Sequence, residues 1–136
     1  MSKIFWRSAA LAAITMLSIG AANAQTYPAS VTGSWTMRAN DTLPFTFTVN
    51  SQSSDAPCAL INGQLSSGDT ITGYYCPATG GVSFLRNSAS TGATFQVFSG
   101  QVSWAGSPSY MTGSFSNFAG GNNTGSYGFT AYTSGQ

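Results

Sequence analysis

Histidine and glutamate are absent from this chain, and its single lysine is Lys3. Charge of either sign is scarce: four Lys and Arg and three Asp account for 5% of 136 residues. General acid–base catalysis near neutral pH wants a His, or a carboxylate or Lys with a displaced pKa. The supply is confined to Asp41, Asp55 and Asp69, each in or beside an expected turn, where a structural role suffices. Serines abound but have no base to complete a triad, and nothing gathers to ligate a metal. The expectation is a protein that is not an enzyme and carries no cofactor. Amphipathic helices are missing too: beyond the first residues, no stretch of about a dozen carries an apolar stripe of roughly 3.6-residue period free of Gly.

The N-terminus reads as an export signal. Lys3 and Arg7 give a positive start, Ser8 to Ile19 is an apolar run too short to span a bilayer, and Ala22-Asn23-Ala24 supplies the small residues of a cleavage site. Residues 1–24 are thus expected to be a signal peptide of Gram-negative type, and 25–136 a single domain. With no cysteine at the cleavage point, a lipid anchor is not expected, and the product would be periplasmic or secreted. Losing the signal leaves Arg38 and Arg86 against three Asp, a slight negative excess that makes nucleic acid a poor partner. Ser, Thr, Gly, Asn and Gln form more than half of residues 25–136. Yet eight Phe, six Tyr and two Trp among them argue against disorder and for a domain that buries one core.

Those aromatics fall in a pattern. Gly33/Trp35, Gly63/Leu65, Gly73/Tyr75, Gly100/Val102, Gly113/Phe115 and Gly125/Tyr127 each place a glycine two residues before a bulky side chain. On a strand both members share one face. A sheet curling into a narrow barrel needs missing side chains at its tight bends, with a neighbouring ring to cover the gap. Eight strands are expected, at Val31–Ala39, Leu43–Val49, Ala59–Leu65, Thr70–Cys76, Val82–Asn87, Thr94–Trp104, Tyr110–Phe118 and Thr124–Thr133. Gly-, Ser-, Pro- and Asn-rich turns join them. The fold class is all-β, an eight-stranded antiparallel up-and-down barrel, with a two-sheet sandwich as the rival. Outward positions such as Thr32, Ser34, Thr36, Thr46, Thr48, Thr70 and Thr72 are too polar for lipid, so no membrane insertion is expected. Segments 51–57 and 119–123 read as loops able to close over a barrel mouth.

The two cysteines fix a register. If Ser66-Ser67-Gly68 is a three-residue loop with Gly68 left-handed, Leu65 faces Asp69 and Cys58 falls opposite Cys76. Ala59/Tyr75 and Gly63/Ile71 then pair inward, Leu60/Tyr74 and Asn62/Thr72 outward. A structural disulfide follows for an exported chain.

Thr32-Gly33-Ser34-Trp35, Thr72-Gly73-Tyr74-Tyr75, Ser99-Gly100-Gln101-Val102 and Gly125-Ser126-Tyr127-Gly128-Phe129-Thr130 resemble, in the same order, matching strands of the avidin and streptavidin family. Lipocalins share the Gly-x-Trp of the first strand. The resemblance implies a barrel that holds a small molecule inside. At the positions where the family contacts biotin, this chain carries Met37, Leu65 and Tyr127, which removes hydrogen-bonding groups that the ureido ring would need, and Phe98, which would keep an apolar wall. The expected ligand is therefore a small apolar or amphipathic molecule other than biotin.

The candidate ligand-binding residues of the interior are Trp35, Tyr75, Phe98, Trp104, Phe115, Tyr127 and Gln96, with Asn117 as a further polar position. Small barrels are often filled, so a solid core acting through its surface, as an interaction or carbohydrate-contacting module, stays open beside true biotin binding. Exposed Tyr74 and Tyr110 would suit sugars. The family's strand-five pattern turns Leu85 inward and Arg86 outward; the opposite parity would place a carboxylate receptor in the cavity. With the family's parity, outward Phe84, Phe95 and Val97 would form an apolar patch for a homo-dimer or homo-tetramer.

Overall fold

Alternating side chains and short polar turns build a single sheet in the computed structural model, whose described residues are 26–40, 44–103 and 106–133. Its strands are β1 (Gly33–Ala39), β2 (Phe45–Gln52), β3 (Ala59–Leu65), β4 (Thr70–Cys76), β5 (Gly81–Asn87), β6 (Thr94–Val102), β7 (Tyr110–Ala119) and β8 (Asn122–Thr133). Each pairs antiparallel with the next, and β8 returns to β1, so the sheet closes into an up-and-down barrel. No sheet edge is left over, which is the advantage of closure in an all-β chain.

The strand ends differ modestly from expectation. Val31 and Thr32 precede β1, and β2 runs on to Gln52 through an irregularity between Val49 and Ser51. β7 and β8 reach further than expected, leaving Gly120-Gly121 as a tight turn with φ of 57° and 81°. Successive connections alternate between the two barrel ends, so the loops near 51–57 and 119–123 lie at opposite ends and cannot cover one mouth together. The strand ends expected at Leu43 and Trp104 lie outside the described residues.

The β3–β4 hairpin has the register that the cysteines imply. Gly68 has φ 91°, its N–H donates to the Leu65 carbonyl (2.9 Å), and the Leu65 N–H donates to the Asp69 carbonyl (2.8 Å). Ala59 pairs with Tyr75, Leu60 with Tyr74, Asn62 with Thr72 and Gly63 with Ile71. Cys58 and Cys76 are bridged, with Cα atoms 4.1 Å apart.

Inside, the glycines let strands come close. A Cβ on Gly63 would run into the Thr48 carbonyl, and one on Gly113 into the Ser99 carbonyl and the Gly100 Cα. The space so saved is taken by rings. Trp35, Phe47, Phe84, Phe98, Phe115 and Tyr127 form a continuous chain of neighbours, with centroid separations from 4.6 Å at Phe84–Phe98 to 6.2 Å at Trp35–Phe47. Met37, Ile61, Ile71, Val102 and Met111 close the remaining gaps, and all are buried.

Strand β5 reverses the expected parity. Phe84 points inward and is buried, Leu85 points outward and is 39% exposed, and Arg86 joins Phe84 on the inner face. The reason is the vacancy at Gly73, directly opposite Phe84 on β4: Phe84 Cα and Cβ take up that space, and its ring stacks on Phe98. The outer patch of Phe84, Phe95 and Val97 is therefore not formed. Phe95 is the extra residue of an irregularity where Asn87 faces Thr94 but Arg86 faces Gln96. Val97 faces Leu85 on the outside.

The N-terminal segment seals one end. The Tyr75 hydroxyl donates to the Pro28 carbonyl (2.6 Å), while the Gln52 amide accepts from the Val31 N–H (3.0 Å) and donates to the Ala29 carbonyl (2.9 Å). Burial pushes the Tyr75 phenol above its ordinary pKa, assisted by Tyr27, which keeps it a donor.

Gly63→Ala is expected to lower stability by about 1–3 kcal/mol, because the backbone of β2 cannot retreat from the added methyl; urea unfolding checks it. Replacing both cysteines by Ala should cost about 3 kcal/mol for a loop of this length, read from the same denaturation midpoints.

Candidate functional site

The end of the barrel opposite the N-terminal seal is open. There a cavity of about 300 Å³ is lined by Ala39, Asn40, Phe45, Arg86, Gln96, Phe98, Phe115, Asn117 and Tyr127. This lies at the small end of the range for ligand pockets, with the usual mix of apolar walls and a few converging polar groups. Phe98 and Phe115, stacked at 4.9 Å, make the floor, and Tyr127 leans on Phe115 at 5.4 Å. Phe45 and Ala39 form the opposite wall.

The polar side is a chain of hydrogen bonds running from the β3–β4 turn across three strands. Asp69, at the β3–β4 turn, receives the Arg86 guanidinium through Nε (2.9 Å) and Nη2, both on Oδ2. Arg86 Nη1 donates to Gln96 Oε1 (2.9 Å), and Gln96 Nε2 donates to Asn117 Oδ1 (2.8 Å). These residues meet because Arg86, Gln96 and Asn117 are consecutive cross-strand partners on the inner face of β5, β6 and β7. The guanidinium also lies 4.6 Å from the Phe95 ring centroid and 6.0 Å from that of Phe45, so rings flank it.

Asp69 is tied down from its other side. The Ala89 N–H donates to Oδ1 (3.0 Å) and the Ser67 hydroxyl to Oδ2 (2.9 Å). The Ala89 bond, the Arg86 bonds and then the Ser67 bond hold its carboxyl below the usual value of 3.8, against an opposing effect of burial.

Of the residues singled out from sequence, Phe98, Phe115, Tyr127 and Gln96 come together around this cavity, with Asn117 beside them. Trp35 and Tyr75 do not: they lie 1% and 0% exposed in the packed core beneath it. Trp104 lies outside the described residues. Arg86, expected to be outward, is the cavity's charged member, and Asp69, read as a turn former, is its counter-ion as well. The hairpin register could have placed Asp69 at the rim, but the contact depends on the parity of β5. Met37 and Leu65 are buried in the core.

Comparisons with protein-family models, with curated proteins and with solved structures gave no match to this chain.

A depressed carboxylate pKa stabilises the fold above its unfolded value, and that contribution fades as pH falls through the folded one. Asp69→Asn is therefore expected to flatten the loss of thermal stability between about pH 5 and about pH 2 relative to the parent protein. Melting curves across that range check it, and parallel slopes would mean that Asp69 gains nothing from its partners.

Proposed function

We propose that this chain is an exported, non-enzymatic, avidin-like barrel that binds a small amphipathic molecule other than biotin in its open mouth. The observation that carries this reading is the cavity itself: a solid barrel would fill the rim with packed rings, whereas here a space remains between Phe45 and the Phe98, Phe115 and Tyr127 rings, with polar side chains along one side. A ligand body of one or two rings would lie on Phe98, Phe115 and Tyr127, with its polar end toward Arg86, Gln96 and Asn117. Biotin is disfavoured because the buried Met37 and Leu65 offer no partner to a ureido group.

A second reading, a surface module that contacts carbohydrate, draws on Tyr110 and Tyr132. They are direct neighbours on β7 and β8, 52% and 39% exposed, beside Thr112 and Thr130. Aromatic faces flanked by hydroxyls suit sugar rings, but the arrangement is open and shallow.

Native mass spectra of residues 25–136 purified from periplasm, with and without biotin, test the proposal. A co-purifying small mass with no biotin shift is expected, and Tyr127→Ala should lose most of that mass while staying folded. A stoichiometric biotin shift would overturn the exclusion of biotin, and bare protein in every spectrum would favour the surface reading.

A further inference from the structure

An inward arginine in a ligand cavity ordinarily reads as a receptor for carboxylates. Here the ion pair changes that. Asp69 takes Nε and Nη2 of Arg86, and the rings of Phe95 and Phe45 flank the guanidinium. Among the described residues these two are the charged groups at this mouth; Arg38 lies on the outer face opposite Thr130, and Asp55 sits in the loop at the other end. Among the described residues the charges at this mouth therefore cancel, while the relay keeps unused donors.

The hydrogen-bond chain also has a fixed direction. Arginine can only donate, so Gln96 must turn its oxygen to Arg86 and its nitrogen to Asn117. Asn117 must then accept with its oxygen, which leaves its Nδ2 amino group without a partner among the described residues, on the cavity wall. The remaining hydrogens on the terminal nitrogens of Arg86 have no described acceptor either. The relay thus leaves unused N–H groups on Arg86 and Asn117.

Resting on the ligand-binding reading above, we infer that the mouth selects an uncharged head group that accepts hydrogen bonds, such as a ketone, lactone or amide carbonyl. A carboxylate would lose its hydration without meeting net positive charge, because Asp69 already compensates Arg86. An ammonium would face donors with its own donors. A neutral carbonyl matches both the cancelled charge of the ion pair and the free donors of the relay, and Asn40 and Tyr127, which also line the cavity, can donate to it.

Calorimetric titration of residues 25–136 with naphthalene, naphthyl methyl ketone, naphthoate and naphthylmethylamine separates these terms, since the four share one apolar body. The ketone is expected to bind about tenfold tighter than naphthalene, from one or two hydrogen bonds, with naphthoate no tighter than naphthalene and the amine weakest. Asp69→Asn should release the Arg86 charge and raise naphthoate affinity about tenfold while leaving the ketone within about threefold. Asn117→Leu, which removes the free Nδ2 amino group, should bring the ketone down toward the level of naphthalene. Naphthoate binding tightest to the parent protein, or a ketone no better than naphthalene, would overturn the head-group inference while leaving the cavity reading in place. Failure of all four probes to bind would overturn both.

Discussion

Closing eight strands on themselves sets the width of the interior, and that width admits little more than the side chains pointing into it. In this chain the inner face alternates between glycines, which draw neighbouring backbones together, and rings, which take up the space released. The Gly73–Phe84 contact shows the coupling most plainly. One missing side chain on β4 draws a phenylalanine inward on β5, and that choice of parity carries Arg86 inside with it. The cavity chemistry is thus a by-product of how one bend in the sheet is packed.

A chain with so few charges has little long-range electrostatics, so the short-range arrangement of the few that remain decides what the interior can hold. Bringing a lone guanidinium partly out of water would be costly. Asp69 offsets this, and the carboxylate is in turn satisfied by the Ala89 amide and the Ser67 hydroxyl. The pair sits at the rim, with side chains 18% and 14% exposed, where water still reaches it. Its neighbours Gln96 and Asn117 extend the ordering across two further strands without adding charge.

Most of the architecture was legible from residue pattern alone, because alternation of face is a local property. The β3–β4 hairpin was legible down to its register, since a left-handed glycine and a cysteine pair constrain it from both ends. β5 was not: Val82 and Phe84 lie on one parity and Leu85 on the other, so the segment has apolar residues on both faces and no turn that fixes its phase. The resemblance to avidins pointed to the wrong phase there. Phe98, Phe115, Tyr127 and Gln96 could be read as inward from their own strands. Asp69 as counter-ion could not, because the contact joins residues 17 positions apart through a packing decision made at Gly73.

The seal made by Tyr75, Gln52 and the Pro28–Val31 segment turns the barrel into a cup rather than a pipe. Trp35 and Tyr75 block the closed end almost completely, at 1% and 0% exposure. Whatever occupies the cup must arrive and depart by the same rim, past Asn40, Arg86 and Asn117. For a ligand of the proposed kind, exchange would then depend on how readily a few rim side chains step aside.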